Sequence, residues 1–288
     1  MAFVAPMLAS PMREGFAPKP GTVIAEEKFD GIRLIAEVNH EQAEDLLSEC
    51  YVQTWSRNGI PHVVPRHLRD ALSKLPNGIY DGELFVPGKR SYGATRIDHA
   101  EQLRFVIFDV LVLLDTDITN SPLYERRQFL EEIFSREAVR TKWVTLAEAR
   151  VIHDFKDVVN FRDEVWKRDG EGLILKVLSA PYRPGKRDKS WIKIKQLKSA
   201  VLTIIGFAES KGEIINRGPY ATVILKDAQG YTTTVKTRND AEIARFERQG
   251  NGVHGNHPAI GKQLRIEYQE RTPDGSYRHP RWDRYEDE

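Results

Sequence analysis

The chain has 288 residues, 40% apolar and 30% charged, and its 43 Lys and Arg against 42 Asp and Glu leave a formal charge of +1. This composition excludes a disordered chain and a bulk basic field, so any nucleic-acid surface has to come from segregated basic residues. The single cysteine, Cys50, excludes an intramolecular disulfide and a Cys-rich zinc site and points to a reducing, cytoplasmic setting, in a bacterial cell or a virus-infected host.

The N-terminus, Met1 to Ala9, lacks the basic region of a signal peptide. After a Pro-rich entry (Pro6, Pro11, Pro18, Pro20), Val23 to Ala25 and Leu34 to Val38 are expected as strands flanking a turn that carries Lys28. Val52 to Trp55 is a further strand, ended by Ser56-Arg57-Asn58-Gly59. Val64 to Leu75 is expected as a helix, stopped by Pro76-Asn77-Gly78, and Ile79 to Val86 and Arg104 to Leu114 have the content of buried strands. The longest apolar runs, Phe105 to Phe108 and Val110 to Leu114, are split by Asp109 and fall far short of the ~20 residues that cross a bilayer.

Ser121-Pro122 opens a helix to about Phe134 with proline at its first position, and Phe155 to Lys167 is another. Gly172 to Val177 and Trp191 to Ile194 return to strand. Beyond about Lys198 come short strands, Val201 to Phe207, Ala221 to Lys226, Tyr231 to Val235 and Gln263 to Tyr268, with one helix near Asp240 to Arg248. That texture suits a small β-barrel and divides the chain into 1–197 and 198–288.

Several groupings carry chemistry. Glu26-Glu27-Lys28-Phe29-Asp30-Gly31-Ile32-Arg33 gathers a potential nucleophile, carboxylates, a glycine and an arginine at a strand end. A lysine amine attacks phosphorus only as the free base, so such a site must take up its proton or disfavour its charge. Tyr80-Asp81-Gly82-Glu83-Leu84 presents Glu83 beside a glycine that leaves room for a ligand, although an ordinary exposed strand carboxylate reads the same way. Glu171-Gly172-Leu173-Ile174-Leu175-Lys176 repeats an acid beside glycine and ends in a lysine. In Trp191-Ile192-Lys193-Ile194-Lys195, two lysines share a strand face; they suit an anion between them, or a solvated edge strand. From Lys176 to Lys198 the basic residues dominate, which is most simply used on phosphates.

In that order, K-x-D-G-x-R, S-R-N-G, D-G-E-L, F-D-x-L, E-G-L-I-L-K and W-I-K-I-K, the chain resembles the ATP-dependent DNA ligases of the covalent nucleotidyltransferase superfamily. The resemblance implies an α+β fold: a nucleotidyltransferase domain of ATP-grasp-like antiparallel sheets with helices, followed by an OB-fold β-barrel. It implies that Lys28 takes AMP from ATP, with Mg2+, and passes it to the 5′-phosphate of nicked duplex DNA, where the 3′-hydroxyl then attacks and seals the strand.

Residue by residue, the same resemblance assigns adenine recognition to Glu26 and base stacking to Phe108, which is also at home in a core. Glu83 becomes a ribose or metal contact and Glu171 a metal-holding carboxylate. Arg33 and Arg57 become phosphate contacts, Lys193 and Lys195 the lysines beside the α-phosphate, and Lys176 a further phosphate candidate. Arg281 and Arg284, with Arg278, resemble the last motif, which orients the departing pyrophosphate, although the chain then ends in Tyr285-Glu286-Asp287-Glu288 rather than in basic residues. A small DNA-contacting loop is expected at Gly212 to Gly218, where Lys211 and Arg217 bracket two isoleucines, Ile214 and Ile215. A monomer without membrane attachment is expected. An RNA ligase or a capping-type guanylyltransferase shares the lysine and the paired lysines, and a catalytically silent nucleic-acid binder would share the basic stripe.

Overall fold

Strand alternation builds the larger, N-terminal part of the molecule. In the computed structural model, which describes residues 3–12, 16–41, 50–89, 97–208, 219–237, 240–249, 257–272 and 274–286, the chain divides into two compact units, Met1–Lys195 and Gln196–Glu288. The first unit contains two sheets. One is five-stranded in the order β1 (Leu8–Pro11), β11 (Arg187–Lys195), β10 (Gly172–Val177), β2 (Val23–Glu27), β9 (Ala149–Ile152). The other runs β4 (Tyr51–Ser56), β3 (Ile32–Asn39), β5 (Gly78–Phe85), β6 (Arg104–Leu113), β7 (Thr116–Asp117), with β8 (Val144–Leu146) parallel to β6.

Among the described residues, three α-helices cover these sheets: α1 (Arg66–Leu72), α2 (Leu123–Ser135) and α3 (Phe155–Lys167). In α3, Asp154 caps the start by accepting from the Asp157 N–H at 2.9 Å, satisfying one of the helix's unpaired donors. Val158, Phe161 and Val165 recur on one face and pack on Val23, Ala25, Leu173, Leu175, Ile192 and Ile194. Fully burying each such side chain contributes about 1.5–3 kcal/mol, and Phe161→Ala would cost about 3–5 kcal/mol. Period two then turns Glu26, Ile174, Lys176, Trp191 and Lys193 to the opposite face of the same sheet.

The second unit is an antiparallel sheet in the order β14 (Thr232–Lys236), β13 (Thr222–Lys226), β12 (Lys198–Ala208), β15 (Gln263–Tyr268), β18 (Arg281–Tyr285), and the two end strands approach one another. A helix, α4 (Asp240–Gln249), adds Phe246 to its core of Leu202, Ile204, Val223, Leu225, Leu264 and Ile266. A short hairpin, β16 (Glu270–Arg271) with β17 (Tyr277–Arg278), is fastened by Asp227, which accepts from Arg271 and from the Tyr277 hydroxyl.

Two expectations are corrected and one unforeseen strand is added. The helix expected over 64–75 is only Arg66–Leu72, because Pro65 occupies its cap. Pro122 stands at the cap before α2 with extended backbone, not inside the first turn. Leu8–Pro11, hidden in the Pro-rich entry, is a strand, and it lies at a sheet edge, where a proline's missing donor is tolerated. Among the described residues no helix is long and apolar enough to cross a membrane. The expected loop at Gly212 to Gly218, with Lys211 and Arg217, lies outside the described residues.

Candidate active site

Between the two sheets of the first unit lies a cavity of about 400 Å³, lined among others by Glu26, Lys28, Arg33, Arg57, Glu83, Phe108, Lys176 and Lys193. Lys28 follows directly on β2, and its N–H donates to the Gly172 carbonyl at 2.8 Å, tying it to the start of β10. Its ammonium donates to one oxygen of Glu171, and the other Glu171 oxygen pairs with the Lys195 ammonium at 2.6 Å. Gly172 makes this possible. Its φ is +150°, and a Cβ there would meet the Ile194 carbonyl oxygen at 1.9 Å, so only glycine lets β10 approach β11 beside Glu171.

Arg33 faces the same space from the other sheet. Its guanidinium grips Asp81 with two hydrogen bonds of 2.6 and 2.5 Å, the geometry in which an arginine–carboxylate pair is strongest. Burial works against its charge, but Asp81 prevails and holds the guanidinium above its ordinary value. The other bond to Asp81 comes from the Tyr182 hydroxyl at 2.6 Å, and that hydroxyl accepts from the Met7 N–H at 2.8 Å. Directly opposite Arg33 in the sheet is Glu83. Desolvation pushes the Glu83 carboxyl up to about 7, against Lys28 and Arg33, and Glu171 and Asp81 add to the rise.

Phe108 is half-buried at the cavity wall, with the Arg33 guanidinium 4.7 Å from its ring centre and the Lys176 ammonium 4.6 Å away. Trp191 meets it edge-on at 6.1 Å. Lys176 is only 1% exposed, pairs with Glu26 at 2.6 Å and donates to the Phe108 carbonyl at 3.0 Å, so its charge is directed at Glu26. The second oxygen of Glu26 accepts from Arg127 at 3.3 Å. Burial raises the Glu26 carboxyl and lowers the Lys176 ammonium from their ordinary values, and the ion pair opposes both shifts.

The neighbouring Arg126 is fully buried and doubly bonded to Asp109 at 2.8 and 2.9 Å. Consecutive residues of α2 therefore hold one acid in each sheet. Among the residues that sequence reasoning singled out, Lys28, Glu171 and Lys195 converge directly, and Arg57 and Lys193 reach the same cavity. Arg281 and Arg284 are exposed on β18 of the second unit, and Arg278 pairs with Glu270 there. Asp81, Tyr182, Arg126 and Arg127 were not anticipated as site residues. Asp81 stands inside D-G-E-L, two residues from Glu83 and on its face, a signal that was available.

Comparison with known proteins gives a consistent picture. Residues 6–195 match the family model described as ATP dependent DNA ligase domain. A DNA ligase of Methanothrix thermoacetophila is 28% identical over 298 residues, covering 89% of this chain and 50% of that protein. The chain thus spans about half the length of the curated relatives it matches. A solved Lig E DNA ligase, described under DNA binding with a minimal scaffold, aligns with a TM-score of 0.71 at 17% identity over 98% of this chain and 100% of its own. A mycobacterial DNA ligase D, solved with ATP and MES, aligns at 0.55 and 21% identity over 98% of this chain and 94% of its own. These two likenesses show a shared fold, and the family match over 6–195 carries the assignment: the chain belongs to the ATP-dependent DNA ligase family.

Proposed function

We propose that the protein is an ATP-dependent DNA ligase that seals 5′-phosphate/3′-hydroxyl nicks in duplex DNA through a lysyl-AMP intermediate. The observation that carries this reading is the ion pair of Lys28 with Glu171, whose second oxygen takes Lys195, at the wall of a cavity that also holds Arg33 and Arg57. In the first step the Lys28 amine attacks the α-phosphorus of ATP, the N–P bond forms and the bond to pyrophosphate breaks. Glu171 accepts a hydrogen bond from the amine, which supports a role for it in taking up the departing proton. AMP then passes to the 5′-phosphate of the nick, the 3′-hydroxyl attacks, and AMP leaves.

Lys193 and Lys195 stabilise charge that grows on the α-phosphate, and Arg33 and Arg57 orient phosphate oxygens. Glu26 accepts from the adenine amine, and Phe108 packs on the base. The Glu171 charge helps raise the Glu83 carboxyl, and the two acids offer hard carboxylate oxygens, a donor set that fits Mg2+ completed by phosphate and water oxygens. Bound there, Mg2+ would neutralise phosphate charge. The second unit, 198–288, is read as an OB-type barrel whose Arg281 and Arg284 orient pyrophosphate, after a nucleotidyltransferase domain of 1–197. The approach of β14 and β18 supports that reading of the barrel. Action as a monomer in a cytoplasmic compartment completes it.

The test is incubation with α-labelled ATP or GTP and Mg2+, alongside Lys28→Ala, followed by a chase with nicked duplex. A label from ATP only, absent in Lys28→Ala and discharged as the strand is sealed, is the expected result. A label from GTP, or no label at all, overturns the reading.

A further inference from the structure

The loop that carries Arg57 exposes two aliphatic side chains for which the cavity has no use. Ile60 is 64% and Val63 83% exposed. The loop is nevertheless firmly built. The Ser56 N–H donates to the Ile60 carbonyl at 2.8 Å, the Gly59 N–H to the Ser56 carbonyl at 2.9 Å, and the His62 N–H to the Thr54 carbonyl at 2.8 Å, while Pro61 bridges to Trp55. Gly59, at φ +78°, sits against the Phe3 ring, which a Cβ would meet at 3.1 Å. A braced loop that holds aliphatic groups in water presents a preformed contact surface, because little ordering entropy remains to be lost on binding.

Charge and distance identify the occupant. From Arg57 to Arg66 the chain has two arginines, one histidine and no Asp or Glu, and Arg57 and Asn58 line the cavity. Ile60 follows Arg57 by three residues, a stretch that spans at most about 10 Å and is shortened here by the turn that the Gly59 N–H closes on the Ser56 carbonyl, which keeps Ile60 within reach of a minor groove about 6 Å wide adjoining a phosphate held by Arg57. Aliphatic and proline wedges flanked by basic groups are the means by which proteins pack against that groove. We propose that Ile60 and Val63, with Pro61 between them, form an apolar wedge that packs on the sugar and base edges of duplex DNA beside the phosphate held by Arg57. The proposal rests on the DNA-joining reading for its partner, and it adds a surface that determines grip on the duplex rather than chemistry.

The experiment measures binding of a fluorescently labelled nicked duplex to the full chain and to Ile60→Ser/Val63→Ser by anisotropy at several salt concentrations, with adduct formation from labelled ATP read in parallel. Affinity is expected to fall about fivefold or more. The slope of affinity against salt should stay unchanged, because apolar contacts release no counterions, and adduct formation should match the parent. Equal affinity of parent and variant overturns the wedge and leaves the two side chains to a protein partner. Loss of affinity in the variant when the parent itself forms no adduct retains the wedge as a duplex contact and removes the ligase reading, whereas loss of adduct formation in the variant alone overturns the wedge as a surface separate from the chemistry.

Discussion

Lys28 and Glu171, 143 residues apart in the chain, meet in a direct ion pair. The pair joins the end of β2 to the start of β10, and Lys195 closes it from β11. Lys28→Arg keeps the charge but offers no nucleophile of comparable reactivity, so adduct formation should fall by on the order of 10⁴ or more with the fold retained, as circular dichroism would show. Glu171→Gln should cut the adduct rate while leaving both lysines in place, and a rate equal to the parent's would remove Glu171 from the chemistry.

Glu83 makes stability depend on pH. With its carboxyl raised from an ordinary 4.5 to about 7, the folded protein keeps a proton that the unfolded chain has already lost. Stability therefore falls as pH rises from about 4.5 through about 7 and is level above that window. The loss at full ionisation is on the order of 3 kcal/mol. Glu83→Gln should flatten the profile, and thermal midpoints at pH 5 and pH 8 in both proteins measure it.

The buried pair of Arg126 and Asp109 makes an asymmetric prediction. Arg126→Met leaves the Asp109 carboxylate without its partner in a fully buried position and should cost about 3–5 kcal/mol in denaturant unfolding. Asp109→Asn added to Arg126→Met removes the stranded charge and should recover part of the loss. A double variant less stable than Arg126→Met alone would contradict this account.

Tyr182→Phe removes one hydroxyl that serves two partners, Asp81 and the Met7 N–H. The cost is expected at about 1–3 kcal/mol. Because Asp81 also fixes Arg33, adduct formation should slow modestly as well, and an unchanged rate would make the hydroxyl purely structural.

The parts of this site that were legible in the sequence are those in which short spacing dictates geometry. Lys193 and Lys195 share a face because strands alternate, and the acid beside Gly172 marks a close approach of two strands. What escaped notice depends on partners far along the chain. Asp81 gains its role from Arg33 and from Tyr182, 101 residues on. Lys176 reads as one more cation in a basic stretch, and only burial against Glu26 distinguishes it from its neighbours. The strand Leu8–Pro11 was masked by Pro6 and Pro11, and with Leu8, Ala9 and Ser10 all partly buried it carries no alternation signal to detect.

Adjacent helix residues project about 100° apart, which lets Arg126 reach Asp109 on β6 while Arg127 reaches Glu26 on β2. The helix thereby works as a gauge block, and the gap between the two walls is machined by a single rod. Neither wall can drift alone. A guest that needs a wider gap has to shift α2 as a body and strain two buried ion pairs together, so the cavity favours guests of one thickness before any contact with the guest itself is counted.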